Sequence, residues 1–271
     1  MADVTVLMAT YNDERYVEAA ARSILAQSFH DFEFLIVDDA SSDETPRILS
    51  RLAREDDRMR VLRLAENVGL AAALNIGLEA ATSPIIARMD GDDISRPDRL
   101  EAQLLHLREH PEIDILGTYA RDIDEAGVPT GEVRKVPLSP SQARRLVWTG
   151  PVIHPSAVFR RDRILAIGGY DPGLRRRQDY ELWFRAVGAG LVIANLPEPF
   201  LDYRVRNGAG RTDIRRAWEQ AGIGWRGCRL VKAGPIAYLG ITFPLVVSLA
   251  PERYRRRLKK MLSFLDPRKR G

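Results

Sequence analysis

The stretch Ile85-Ile86-Ala87-Arg88-Met89-Asp90-Gly91-Asp92-Asp93-Ile94 decides how this chain is read. An apolar run of strand length ends abruptly in three carboxylates packed around a glycine. Carboxylates this close repel, and each raises the pKa of its neighbours. A hard divalent cation such as Mg²⁺ or Mn²⁺ removes the conflict, because it takes carboxylate oxygens and keeps positions open for a substrate's phosphates. Gly91 allows a tight turn and a close approach by a ligand. The simpler reading is a solvated acidic turn with Asp98 starting the next helix. Polar clusters at the ends of the neighbouring strands weigh against it.

Outward from that stretch, strand and helix alternate. The spacing predicts strands at 4–9, 32–37, 59–64 and 85–89. Helices are predicted at 16–27, from Ser42 or Asp43 toward Arg54, and at 69–81. This order argues for a parallel, right-handed α/β sheet, in which ligands sit at the carboxyl ends of the strands. The polar clusters at 10–13, 38–43, 66–69 and 90–93 all fall at such ends. Beyond residue 110 the pattern predicts strands at 113–119 and 131–136 around a turn containing Gly127. A helix at 139–147, a strand at 156–159 and a helix at 178–187 follow, then two strands at 191–194 and 200–205.

The 41 Lys/Arg and 37 Asp/Glu are unevenly spread. Residues 206–271 carry 16 basic against 4 acidic side chains, which leaves 25 against 33 in residues 1–205. An acidic main part without interleaved basic and aromatic residues excludes nucleic acid as a partner. The chain is therefore divided into a main domain at 1–205 and a basic helical extension at 206–271. Helix is predicted at 211–233, weakened by Gly222, Gly224 and Gly227. Residues 236–250 are almost wholly apolar around Pro244. As a helix that segment spans about 22 Å, short of the roughly 30 Å of a hydrocarbon core. With the basic, amphipathic stretch after Pro251 it suits the surface of an anionic bilayer; the competing picture is a helical pair docked on the main domain. The N-terminus shows no secretory signal, and the single cysteine, Cys228, can form no intrachain disulfide. The expected setting is cytoplasmic, peripheral on the inner face of the cytoplasmic membrane.

Several short motifs, in order, carry a resemblance. They are Ala9-Thr10-Tyr11-Asn12, Val37-Asp38-Asp39-Ala40-Ser41-Ser42-Asp43, Asn67-Val68-Gly69-Leu70 and Met89-Asp90-Gly91-Asp92-Asp93. Then come His154-Pro155, Gly168-Gly169-Tyr170 and Gln178-Asp179-Tyr180-Glu181-Leu182-Trp183. Together they resemble the family 2 glycosyltransferases, inverting enzymes of GT-A fold that use nucleotide sugars, over residues 4 to about 204. The resemblance implies a Rossmann-like α/β domain with a mixed, mostly parallel sheet flanked by helices, followed here by the C-terminal helical extension.

The resemblance also implies roles. Thr10, Tyr11 and Asn12 would line the nucleotide pocket, with the Tyr11 ring against base or ribose. Asp39 would accept a hydrogen bond from the pyrimidine or ribose, unless it caps the next helix. Asn67 and Gly69 belong to the same donor pocket. Asp92 is expected to bind Mn²⁺ or Mg²⁺ directly, and Asp90 to bind the ribose, the metal or a metal-bound water. Asp179 corresponds to the catalytic base, with Glu181 as its rival. His154 and Arg177 are acceptor-side candidates, with purely structural roles as the alternative. The partners implied are a UDP-, dTDP- or GDP-sugar and a glycan or lipid-linked acceptor.

Two departures matter. Leu74 stands where the family often has Arg, so one contact to the diphosphate is missing. The motif and transmembrane helices of processive members are absent, which favours transfer of a single sugar. A nucleotidyltransferase would show a Gly-rich basic loop near the first strand, and 9–12 is not one. A catalytically silent relative used for binding would not need both Asp92 and Asp179.

Overall fold

The structure, a computed structural model, describes residues 2–206 and 214–249. The basic stretch predicted after Pro251 lies outside the described residues. Strands β1 (Val4–Thr10), β2 (Phe32–Asp38), β3 (Met59–Arg63) and β4 (Ile85–Asp90) alternate with helices α1 (Val17–Leu25), α2 (Thr45–Glu55) and α3 (Leu70–Ala80). Next come β5 (Ile94–Ser95), α4 (Arg99–Glu109), β6 (Ile115–Ile123), β7 (Pro129–Arg134) and α5 (Pro140–Arg145). The remainder is β8 (Val158–Arg160), α6 (Arg161–Ala166), α7 (Gln178–Gly188), β9 (Ile193–Arg204), α8 (Ile214–Leu230) and α9 (Pro235–Leu249).

The strands form one mixed sheet in the order β3-β2-β1-β4-β8-β6-β9-β5, with β7 paired to β6. β1 runs parallel to both β2 and β4, so the chain reverses its direction of travel across the sheet between them. That reversal opens a crevice at the carboxyl ends of β1 and β4. Thr10 and Asp90 end those two strands. Both faces of the sheet are covered, as strand alternation requires. Val6 and Met8 of β1 pack with Ile24, Leu49 and Leu100 of α1, α2 and α4. Leu7 and Ala9 pack in the opposite core, which also holds Leu74, Trp183, Ala221 and Ile241 of α3, α7, α8 and α9.

One sequence expectation is corrected. The two strands predicted at 191–194 and 200–205 are a single strand, β9, parallel to β6. Pro197 and Pro199 lie where the register shifts, as Thr118 faces Leu196 and Tyr119 faces Pro199, and that irregularity absorbs them.

Two of the three glycines of α8, Gly224 and Gly227, have a packing explanation. A Cβ on Gly227 would lie 2.2 Å from the Phe184 ring, and one on Gly224 would lie 2.6 Å from Ile241. Absent side chains let α8 press against α7 and α9, so α8 and α9 are packed on the main domain. Among the described residues no helix is long and apolar enough to cross a membrane.

Candidate active site

The crevice holds a pocket of about 210 Å³ lined by Thr10, Tyr11, Asp13, Asp39, Leu70, Ala73, Asp90, Gly91 and Asp92, among others. Four of the sequence-predicted donor residues, Thr10, Tyr11, Asp39 and Asp90, are in this wall, together with Asp92. Tyr11 is about half exposed and presents its ring to solvent.

The remaining three predicted donor residues shape the wall. Asn12, at φ 53°, accepts from the Ser42 amide through its side-chain oxygen (2.8 Å), and its own amide donates to Ser41 Oγ (2.9 Å). This ties the loop after β1 to the loop after β2. Asp39 does not cap α2. Its two oxygens accept from the amides of Val68 (2.7 Å) and Gly69 (2.9 Å), while Asn67 Nδ2 donates to the Asp39 carbonyl (3.2 Å). Gly69 has φ 86°, a conformation costly for any residue with a Cβ. It starts α3, whose first turn supplies Leu70 to the pocket. A helix N-terminus facing a polar pocket favours an anion such as phosphate.

Asp90, Asp92 and Asp93 each bring one carboxylate oxygen within 4.8 Å of the other two. They have different surroundings. Asp90 Oδ1 accepts from Nη2 of Arg88, a fully buried guanidinium whose Nε and Nη1 have no partner. Asp93 is buried; its Oδ1 accepts from the Arg204 amide (2.8 Å) and its Oδ2 has no partner. Burial, then the charges of Asp90 and Asp92, push its pKa well up. Asp92 is partly exposed, and burial followed by the charge of Asp90 raises it too. Crowded oxygen donors whose ionisation is resisted by one another fit a hard divalent cation. The partner of Asp90 is the fully buried Arg88, whereas that of Asp92 is the half-exposed Arg206, which makes Asp92 the more available ligand.

Asp179 sits in the first turn of α7. Burial is the main cause that raises its pKa, and the negative charge of Asp90 adds to it. Opposing these are the Tyr180 amide and the charge of Arg177. The charge of Asp90 therefore reaches Asp179. Glu181, two residues on, is spent elsewhere. Both its oxygens accept from Arg185 (2.7–2.9 Å), which also donates to the carbonyls of Ile167 and Gly169. Arg177, exposed at φ 61°, precedes α7. His154 is buried rather than on a surface: its Nε2 hydrogen-bonds the Tyr170 hydroxyl (2.8 Å), and burial pushes its pKa well down, keeping it neutral.

Four contributors were not legible in the motifs. Asp13 accepts from Thr10 Oγ1 (2.9 Å) and lies beside Gly91. Arg88 was visible only as a lone charge inside an apolar strand. Asn75 receives the Tyr170 amide and donates to the Tyr170 carbonyl (2.8 and 2.7 Å), fastening the Gly168-Gly169-Tyr170 turn to α3. Arg206, assigned from sequence to the basic extension, pairs with Asp92 and Asp13. Leu74, at the position of the missing Arg, is fully buried in the core.

Known proteins resemble this chain in sequence and in fold. EpsE of Bacillus subtilis (strain 168) is 33% identical over 263 residues, covering 95% of this chain and 93% of its own. The amylovoran biosynthesis glycosyltransferase AmsE of Erwinia amylovora is 32% identical over 217 residues, covering 79% and 80%. The mannosyltransferase PcManGT of Pyrobaculum calidifontis, solved with GDP-Man and Mn²⁺, shares the fold. It superposes with a TM-score of 0.68 at 20% identity, over 99% of this chain and 82% of its own. The family model for glycosyl transferase family 2 matches residues 5–167, three-fifths of the sequence, and the chain belongs to that family.

Proposed function

We propose that the protein is a metal-dependent, inverting glycosyltransferase that moves a single hexosyl or deoxyhexosyl unit from a UDP-, dTDP- or GDP-sugar to a hydroxyl of a lipid-linked acceptor in bacterial surface polysaccharide synthesis. The observation that carries this reading is the acidic cluster in the crevice wall. Asp90 and Asp92 line the pocket at the end of β4, and the charge of Asp90 also acts on Asp179 at the start of α7. Held by Asp92 and Asp90, a divalent cation would supply positive charge against the leaving diphosphate. Asp179 takes the proton of the acceptor hydroxyl. The freed oxygen forms its bond to the anomeric carbon while the bond from that carbon to the diphosphate oxygen breaks, and the nucleoside diphosphate departs with the electron pair. A single displacement of this kind inverts the configuration. Its test is a diphosphate-release screen over UDP-, dTDP- and GDP-sugars with Mn²⁺ or Mg²⁺, followed by NMR of the product anomer. A product that retains the donor's anomeric configuration overturns the mechanism.

Glu181 has a different task in this reading, because its pairing with Arg185 holds the turn at Gly168-Gly169. Glu181→Gln is expected to cost about 1–2 kcal/mol of stability through the loss of a half-buried bidentate pair. Turnover per folded molecule stays within about tenfold, far from the loss of a general base. Thermal melts and kcat on the same preparation check both. A folded but inactive variant would move the base to Glu181.

The extension supports a place at the membrane. α9 buries Ala237, Ile241 and Leu245 against the protein but leaves Ile236, Leu239, Val246 and Leu249 exposed on one helical stripe. Leu239 and Ile236 are 72% and 74% exposed. The sequence that follows, 250–271, carries nine Lys/Arg against two Asp/Glu, a charge that suits anionic lipid. The stripe is read as the surface that lies in the headgroup region and brings the crevice to its acceptor. Point substitutions test it better than truncation, since Gly240 packs directly under Trp148 and removing α9 would bare that ring. The double substitution Ile236→Glu with Leu239→Glu is expected to reduce flotation with anionic liposomes at least tenfold while leaving nucleotide binding intact. Equal flotation of both proteins would remove the stripe from the reading.

A further inference from the structure

Arg206 is out of keeping with the rest of the basic extension. Its Nη2 lies 2.8 Å from Asp92 Oδ2 and 3.2 Å from Asp13 Oδ1, and its Nε lies 2.9 Å from the same Asp92 oxygen. One nitrogen therefore stands between two carboxylates, as a small cation would. The arm that delivers it is well rooted. Two residues earlier Arg204 donates its amide to Asp93 and its Nε to the Asp92 carbonyl. Both guanidinium groups lie over the Tyr16 ring, at 4.5 and 5.3 Å from its centroid.

The two arginines of the acidic cluster differ in kind. Arg88 is fully buried and fixed on Asp90. The Arg206 side chain is half exposed, so it can leave its partners for water at little cost, which a buried guanidinium cannot do. A divalent cation on Asp92 would compete for the oxygen that Arg206 holds, and like charge would drive the guanidinium off. Released at the mouth of the pocket, it is close to where a diphosphate must sit, and its planar fork matches phosphate oxygens. No arginine comes from α3, since Leu74 is in the core.

We propose that Arg206 is an exchangeable counter-ion: it neutralises Asp13 and Asp92 in the metal-free protein, yields that place to the divalent cation, and then binds the donor diphosphate. The proposal rests on the metal-dependent reading above and adds a specific residue to it. Its signature is a pair of opposite effects. Removing the guanidinium frees the metal from a competitor, since an affinity is reduced by the fraction of protein held in the incompetent state. The same change removes a phosphate contact.

The experiment uses the full chain and Arg206→Gln, with Arg206→Lys as the second variant and thermal melts as the folding control. Mn²⁺ affinity is read without nucleotide from the electron paramagnetic resonance signal of the free ion. UDP and GDP affinities are read by calorimetry at saturating Mn²⁺. For Arg206→Gln, Mn²⁺ is expected to bind about 3- to 10-fold more tightly. Whichever diphosphate the wild type prefers should bind at least about tenfold more weakly. The lysine variant, which keeps the charge but loses the fork, should fall between in both measurements. Weaker or unchanged Mn²⁺ binding in Arg206→Gln overturns the exchange, and unchanged diphosphate binding overturns the clamp. A wild-type protein that binds no Mn²⁺ overturns the metal reading and the exchange together, so the two failures are told apart.

Discussion

Asp179→Asn is expected to lower kcat by about 10²–10⁴-fold while leaving nucleoside diphosphate affinity nearly unchanged. The amide keeps the shape of the side chain at the start of α7 and loses only the capacity to accept a proton. The environment makes the carboxylate suitable for this task. Burial and the neighbouring charge of Asp90 raise its pKa, so its ionised form is a stronger base than an exposed aspartate. The sign of the pH dependence follows. A raised carboxylate protonates earlier as the solution is acidified, so the acid limb of kcat should lie above that of an exposed aspartate, and Asp179→Asn should remove that limb from whatever activity remains. Stability runs the other way for this group, because a folded state that prefers the protonated form gains as pH falls through the raised value. A full pH–rate profile of both proteins checks the assignment. Normal turnover by Asp179→Asn would transfer the role to another group.

Much of the donor half was legible because its signals are local. Each βα unit announces itself by an apolar run, a polar cluster and a helical period, and the functional groups stand at the strand ends where such sheets place ligands. Thr10, Asp39, Asp90 and Asp92 could be placed from this alone. What escaped depends on partners far along the chain. Arg206 is 114 residues beyond the Asp92 it holds, and its surrounding sequence suggested only a basic tail. Asn75 looked like one more polar residue on a helix, although it pins Tyr170 95 residues away. Gly224 and Gly227 of α8 read as helix weakness because no sequence pattern shows the branched side chain or ring that needs the space. The two strands predicted at 191–194 and 200–205 are likewise one, because a register shift against β6 lets the strand continue through Pro197 and Pro199.

Asp92→Ala is expected to lower kcat/KM by about 10³-fold, equivalent to roughly 4 kcal/mol of transition-state stabilisation, and to make activity insensitive to added Mn²⁺ or Mg²⁺. In the wild type a chelator should abolish transfer and either cation should restore it; full activity in EDTA would refute the metal requirement. Asp92 is the informative member of the cluster for a structural reason. Asp90 is the carboxylate partner of Arg88, which is fully buried with two nitrogens already unpaired. Asp90→Ala would leave that charge without its counter-ion, at a cost of about 3–5 kcal/mol in stability, so a loss of activity there mixes folding with chemistry. Asp93→Ala would release the Arg204 amide and loosen the end of β9. Asp92 has neither duty: its protein partner is the half-exposed Arg206, and its loss should leave the melting temperature nearly unchanged. A large kinetic effect without a stability effect therefore reports the counter-charge at the diphosphate. If Asp92→Ala retained wild-type kcat/KM and still responded to Mn²⁺, the cation would have to be held by other oxygens.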